Sequence, residues 1–218
     1  MESDELVNYI DINSWNRKDH YNYFKQLSYP HFSICANVDI TRFYKYIKEK
    51  ESPFFISMIF TATKTANCIK ELRLRIREDK VVEHKIVSPS FTVMVEGGVF
   101  SFCTVKFTDE FNDFRTNTSK EIEKVKSKLC LEDESGRDDL LYITSIPWVS
   151  FTSITHPIHL NPVDSIPRIS WGKYFEEGGK YKLPLSVQVH HALADGVHVG
   201  QYFNTIQEIL DNPVKYLF

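Results

Sequence analysis

Toward its C-terminal end the chain reads Ser186-Val-Gln-Val-His190-His191-Ala-Leu-Ala-Asp195-Gly196, and no other run constrains the fold as tightly. Up to His190 it alternates polar and apolar residues, the period of a strand. After Gly196, residues Val199, Tyr202, Phe203, Ile206, Ile209 and Leu210 recur at helical spacing. A strand must therefore turn sharply at Asp195-Gly196 and enter a helix at once. Neighbouring strand residues face opposite sides, so only one of His190 and His191 can face a given cleft. A histidine there has rigid backbone on one side and an open turn on the other, which suits a catalytic group.

Two other readings compete. A histidine at a strand end is often a satisfied structural residue, and a short motif is a hypothesis until its context confirms it. A metal site is the second: His191, Asp195 and His198 fall at spacings of four and three, which would line one face of a helix. The strand before them and Gly196 argue against a continuous helix.

The rest of the chain reads as helices mixed with mostly sequential strands. His31 to Val38 predicts a strand. A helix follows from Asp39-Ile-Thr41, with Phe43, Tyr46 and Ile47 on one face. Ser52-Pro53 predicts a capping hydroxyl with proline at the first helical position, opening a buried helix to about Ile69. Leu72 to Phe107 reads as β-rich, turned at Glu78-Asp79-Lys80 and at Gly97-Gly98. Arg73, Arg75 and Arg77 alternate with Leu74 and Ile76, which predicts the solvated face of a strand. Asp109 to Cys130 returns to a helix with Phe111, Phe114, Thr118, Ile122, Val125 and Leu129 on one stripe, and Glu132 to Asp139 is an acidic loop expected to be mobile. Leu140 to Ser153, Arg168 to Phe175 and Tyr181 to His190 are strands, and Asn212-Pro213 stops the final helix. The fold class is α/β, a two-layer sandwich with helices packed on a mixed sheet, in a single domain over residues 1–218.

Composition narrows the partners. A formal net charge of -3, without a basic run, argues against nucleic acid, whose binding needs clustered Lys and Arg. The most apolar stretch, Pro53 to Ala62, is about half the ~20 residues a membrane span needs. The N-terminus is acidic and shows no secretory signal. Cys35, Cys68, Cys103 and Cys130 form no C-x-x-C pair, so free thiols in a reducing cytoplasm are expected, with no metal.

The run H-H-x-x-x-D-G resembles the motif shared by chloramphenicol acetyltransferases, dihydrolipoyl acyltransferase catalytic domains and condensation domains of peptide synthetases. Further segments resemble the first of these: Trp15-Asn-Arg17-Lys-Asp-His20-Tyr, Val38-Asp39-Ile40-Thr41, Pro147-Trp148-Val-Ser-Phe151, Gly172-Lys173-Tyr174 and Gly196-Val-His198-Val199-Gly200. Order and spacing hold from about Trp15 to Leu210. The resemblance implies a coenzyme-A-dependent acyltransferase sandwich, assembled as a homotrimer with active sites at subunit interfaces. Its acetyl donor would be acetyl-CoA and its acceptor a hydroxyl of chloramphenicol. His191 would be the general base, its ring held by a hydrogen bond to local backbone. Asp195 would pair with Arg17 and support the turn with Gly196 rather than complete a triad.

An imidazole suits that role, because it titrates near neutrality and can take the proton of a weakly acidic hydroxyl, help worth about 10²–10⁴ in rate. The family's oxyanion donor is a serine before Pro-Trp, and the matching position here is Thr144, which keeps the hydroxyl and adds a methyl group. Tyr23, Phe24 and Phe32 match the acceptor-pocket aromatics. Ser170, Lys173 and Tyr174 fall near the coenzyme and substrate region. The segment Thr-Ser-Ile-Thr-His156-Pro-Ile-His159-Leu-Asn-Pro departs from the family's more aliphatic one. That departure leaves open an altered affinity for chloramphenicol or another hydroxyl acceptor; a non-catalytic homologue is a separate reading, against which His191, Asp195, Gly196 and Arg17 stand together.

Overall fold

The computed structural model describes residues 7–126, 131 and 136–217. Its elements run β1 (Val7–Ile10), α1 (Lys18–Phe24), β2 (His31–Asp39), α2 (Thr41–Glu49), α3 (Phe54–Asn67), a 3₁₀ turn (Lys70–Arg73), β3 (Leu74–Arg77), β4 (Lys80–His84), β5 (Ser88–Met94), β6 (Phe100–Thr104), α4 (Phe111–Lys126), β7 (Leu140–Ile146), β8 (Arg168–Gly172), β9 (Phe175–Glu177), β10 (Lys180–His190), α5 (Gly196–Asp211) and α6 (Pro213–Leu217). Seven strands make the main sheet, in the order β2-β10-β8-β7-β5-β6 with β9 beside β10; β1, β4 and β3 make a small second sheet. The pairs β5–β7 and β7–β8 are parallel and the others antiparallel, so the main sheet is mixed.

Strand periodicity divides the two faces of this sheet. Leu185, Val187 and Val189 of β10 join Ile169 and Trp171 of β8 in the core, under Phe43, Phe60, Tyr202 and Ile206 of the helices. Ser186, Gln188 and His190 alternate with them and face the other way, where they too are buried. In α3 the buried hydroxyls of Thr61, Thr63 and Thr65 each donate to the carbonyl four residues earlier, at 2.8–2.9 Å. That removes the cost of burying them unpaired.

Several local expectations are corrected. The arginines after Leu72 do not form one solvated face. Arg75 is fully buried, and its guanidinium donates to the carbonyls of Leu72, Leu74, Asp138 and Leu140. Arg77 pairs with Asp138 at 2.7 Å and Arg73 with Glu83 at 2.9 Å. An alternating pattern marks two faces of a strand, and here the polar face packs on the segment leading to β7. In α2, Tyr44 rather than Tyr46 packs against the core. Ser52 does not cap α3; its hydroxyl meets that of Ser57 at 3.0 Å, and Pro53 stands at the cap. The strand expected over Leu140 to Ser153 ends at Ile146, Arg168 to Phe175 splits into β8 and β9, and the chain resumes as α6 after Asn212. Elements β1 and α1 had no periodic signal. Leu129, Cys130 and residues 132–135 of the acidic loop lie outside the described residues. Cys35, Cys68 and Cys103 are free thiols.

Candidate active site

The main chain delivers His191 one residue beyond β10. Its N–H donates to the carbonyl of Pro30 at 2.7 Å, tying the strand end to the start of β2. The turn closes as the N–H groups of Leu193 and Ala194 donate to the His190 carbonyl, at 3.0 and 3.2 Å. Asp195 then caps α5, which starts at Gly196. A Cβ at Gly196 would meet nothing within 4 Å, so nothing described in the chain itself demands glycine there.

His191 sits in an aromatic clamp. Phe24 stacks on its ring at 3.8 Å between centroids and 10° between planes, and Phe32 tilts against it at 4.6 Å. About a third of its side chain is exposed (32%), which leaves a reaction face open. No backbone group bonds its Nδ1, contrary to the expected local hydrogen bond; the atom lies 3.3 Å from Oδ1 of Asp195. Asp195 is itself held by Arg17, which donates through both terminal nitrogens, one of them at 3.0 Å to Oδ1. The same guanidinium reaches the His191 carbonyl at 3.3 Å. The Arg17 hydrogen bonds hold the Asp195 carboxyl below the usual carboxylate range. His198, from the first turn of α5, accepts the Asp195 N–H on Nδ1 at 2.9 Å and faces Glu71 with Nε2 at 3.5 Å.

These contacts direct the three side chains of the helix-face metal reading apart. Asp195 is turned to Arg17, and His198 accepts a backbone N–H on Nδ1 and faces Glu71 with Nε2, so the three side chains do not converge on one point.

His190 faces the other side of the strand, as its neighbour position requires. It is buried, accepts the Ala192 N–H on Nδ1 at 3.2 Å, and meets His31 edge to face at 5.0 Å. Burial pushes its titration down to about 4, so it is a neutral structural histidine near pH 7.

Thr144 occupies a different place. It lines a cleft of about 1010 Å³ with Phe55, Phe91, Trp171, His156 and Arg168, and His191 does not line that cleft. Thr144 pairs in register with Ser170 across β7 and β8, and Ser170 meets His156 Nε2 at 2.7 Å. Of the other residues expected at the substrate, Phe24 and Phe32 flank His191. Tyr23 is 64% exposed and touches Phe24 edge-on at 5.1 Å. Tyr174 lies in an aromatic cluster, its hydroxyl donating to that of Tyr44 at 3.2 Å, and reaches the cleft only through Phe54. Phe91, Trp171 and Arg168 went unread as cleft residues, because each sits on a strand whose pattern signals packing alone. No helix among the described residues is long and apolar enough to cross a membrane.

Known proteins settle the class. A solved chloramphenicol acetyltransferase superposes with a TM-score of 0.86 at 23% identity, over 94% of this chain and 100% of that one. The two share one α/β fold, a mixed sheet with helices packed on it. The family model described as chloramphenicol acetyltransferase matches residues 6–207. A chloramphenicol acetyltransferase of Clostridium perfringens is 32% identical over 213 residues, 96% of this chain and 97% of its own. Chloramphenicol acetyltransferase 3 of Escherichia coli is 31% identical over 208 residues, 94% and 98% of the two chains. The chain belongs to the chloramphenicol acetyltransferase family.

Proposed function

We propose that the protein, working as one domain, transfers acetyl from acetyl-CoA to a hydroxyl of chloramphenicol, with His191 as general base. The observation that carries this reading is the strand-end imidazole, clamped by Phe24 and Phe32 and partly open, in a chain that aligns with named chloramphenicol acetyltransferases over nearly its whole length.

In this reading His191 takes the acceptor's hydroxyl proton through Nε2 while the oxygen attacks the thioester carbonyl. The C–O bond forms, the Thr144 hydroxyl donates to the oxyanion, the C–S bond breaks, and the proton passes from the imidazole to the departing thiolate. Phe24 and Phe32 fix the ring plane. Asp195, held by Arg17, stands beside Nδ1 and supports the turn that presents the ring. Transfer is direct, without an acetyl-enzyme and without a metal.

His191 and the cleft that holds Thr144 present separate surfaces of one chain. A homotrimer in which His191 of one copy closes the cleft of the next brings the two together, and such an assembly is part of this proposal, as is a cytoplasmic location. The cleft is large and aromatic enough to take an acyl donor and an aryl alcohol end to end.

Incubation of the purified protein with acetyl-CoA and chloramphenicol, followed by mass spectrometry, tests the reading. Expected is chloramphenicol carrying one acetyl group and a protein of unchanged mass. An acetylated protein intermediate, or no acetylated alcohol at all, would overturn it.

A further inference from the structure

The cleft has two unlike halves. One is aromatic, lined by Phe100 and Phe102 of β6, whose pairing with Met94 and Thr92 puts them on the sheet face that carries Thr144; the other comes from the segment before β8. His156 is the centre of that second half. Its Nε2 is anchored on Ser170 at 2.7 Å, and Ser170 is the register partner of Thr144. The anchor therefore holds the imidazole beside the strand position that carries the proposed oxyanion donor. Nδ1 has no hydrogen-bond partner among the described residues, and the side chain is half-buried in the cleft wall.

The segment around it is stiff. Pro157 and Pro162 fix two backbone angles, the Asp164 N–H donates to the His159 carbonyl at 2.9 Å, and Asp164 Oδ1 accepts the Ile166 N–H at 2.8 Å. Arg168 is a charged group near His156 that bears on its titration. It is already paired with Asp164, donates to the Ile166 carbonyl at 3.0 Å and covers the Tyr142 ring at 5.2 Å. That cation is spent within the chain, so the wall offers a neutral hydrogen bond rather than a free charge. Burial and Arg168 both lower the His156 titration, which keeps the imidazole uncharged.

We propose that His156 is a specificity-determining residue of the acceptor pocket, its anchored imidazole selecting an alcohol with an aromatic body and a neutral hydrogen-bonding substituent over one whose body is wholly apolar. The inference rests on the function proposed above. The aromatic half binds the ring of either alcohol, and discrimination comes from Nδ1, because a site built to hydrogen-bond a group rejects the analogue that lacks it.

The test compares chloramphenicol, which carries nitro and amide groups, with 3-phenylpropan-1-ol, which carries none, by thiol release from acetyl-CoA. His156→Leu should raise KM for chloramphenicol about tenfold with kcat within about threefold, the loss of one good hydrogen bond. KM for phenylpropanol should stay level or fall. His156→Gln, which keeps a donor and an acceptor, should recover most of the chloramphenicol KM. Ser170→Ala, which frees the imidazole, should raise it by a smaller factor and shift the ratio of the two alcohols in the same direction as His156→Leu. An unchanged ratio of the two alcohols in both His156→Leu and Ser170→Ala overturns the proposal, and so does an equal loss on both alcohols in all three variants. If the wild-type protein turns over neither alcohol, the function reading itself fails and this proposal with it, a result distinct from turnover with an unmoved ratio.

Discussion

Replacing Asp195 by asparagine separates support of the turn from acid chemistry. The carboxylate accepts from both terminal nitrogens of Arg17, whose side chain is only 10% exposed, while Asp195 is 29% exposed. Asparagine keeps the shape but turns an amide N–H₂ toward a guanidinium, donor against donor. Removing one partner of a fully buried pair costs about 3–5 kcal/mol, and an exposed pair contributes about 0–1 kcal/mol. This pair is intermediate, so about 2 kcal/mol is expected. Loss of a negative charge at the α5 N-terminus adds a few tenths. For a chain of this size that lowers Tm by about 4–8 °C. Because the carboxyl titrates below its ordinary value in the folded state, its contribution is full above the unfolded value of about 3.9 and is lost as pH falls through the folded one. The difference between wild type and Asp195→Asn should therefore shrink below about pH 4. Thermal melts by circular dichroism, with thiol-release kinetics alongside, measure both consequences. Turnover should fall as well, since Arg17 also holds the His191 carbonyl and Oδ1 stands 3.3 Å from Nδ1. An unchanged Tm with activity abolished would refute the reasoning and make Asp195 a triad acid.

Three further outcomes are expected. His190, buried and titrating near 4 against about 6.5 unfolded, should cost stability as pH falls from about 6.5 toward 4, because the unfolded chain takes the proton first; the loss is about 2 kcal/mol between pH 7 and 5. His31 and His156 act in the same direction, so His190→Asn should flatten the urea-determined slope in part, and an identical slope would contradict the assignment. Gly172→Ala places a Cβ 2.7 Å from the Val149 carbonyl oxygen and 2.9 Å from Pro184, an overpacking that should cost about 1–3 kcal/mol by denaturant titration; an unaltered midpoint would show that the 147–151 segment yields. Thr144→Ala should lower kcat by about 10²-fold, and co-expression with His191→Ala should restore part of the activity if different subunits supply the two residues. Two inactive partners staying inactive together would place both in one chain.

Much of this was legible in the sequence because it follows from local periodicity. The strand-turn-helix around His191 needs only an alternating run, a capping aspartate and a helical stripe, and it stands as read, with His190 and His191 on opposite sides. Long-range polar contacts were not legible in that way. Arg75 reads as a solvated alternation, and only the chain returning at Asp138 and Leu140 makes it a buried clasp. The stacking of Phe24 on His191 joins residues far apart in sequence; the family resemblance marked Phe24, but its own neighbourhood carries no periodic signal. The resemblance groups Thr144 and His191; within one chain Thr144 lines a cleft that His191 does not, with β8 between their strands, a separation that only the strand order reveals. The His156 segment announced itself by two histidines and two prolines, and its anchor on Ser170 required the fold.

Thiol release from acetyl-CoA with chloramphenicol, for wild type and His191→Ala side by side, tests the central claim most directly. A general base predicts that the variant keeps the wild-type circular dichroism spectrum and loses at least about 10²-fold in kcat, while the wild type releases thiol only when the alcohol is present. A folded His191→Ala variant that turns over chloramphenicol near the wild-type rate would contradict the account.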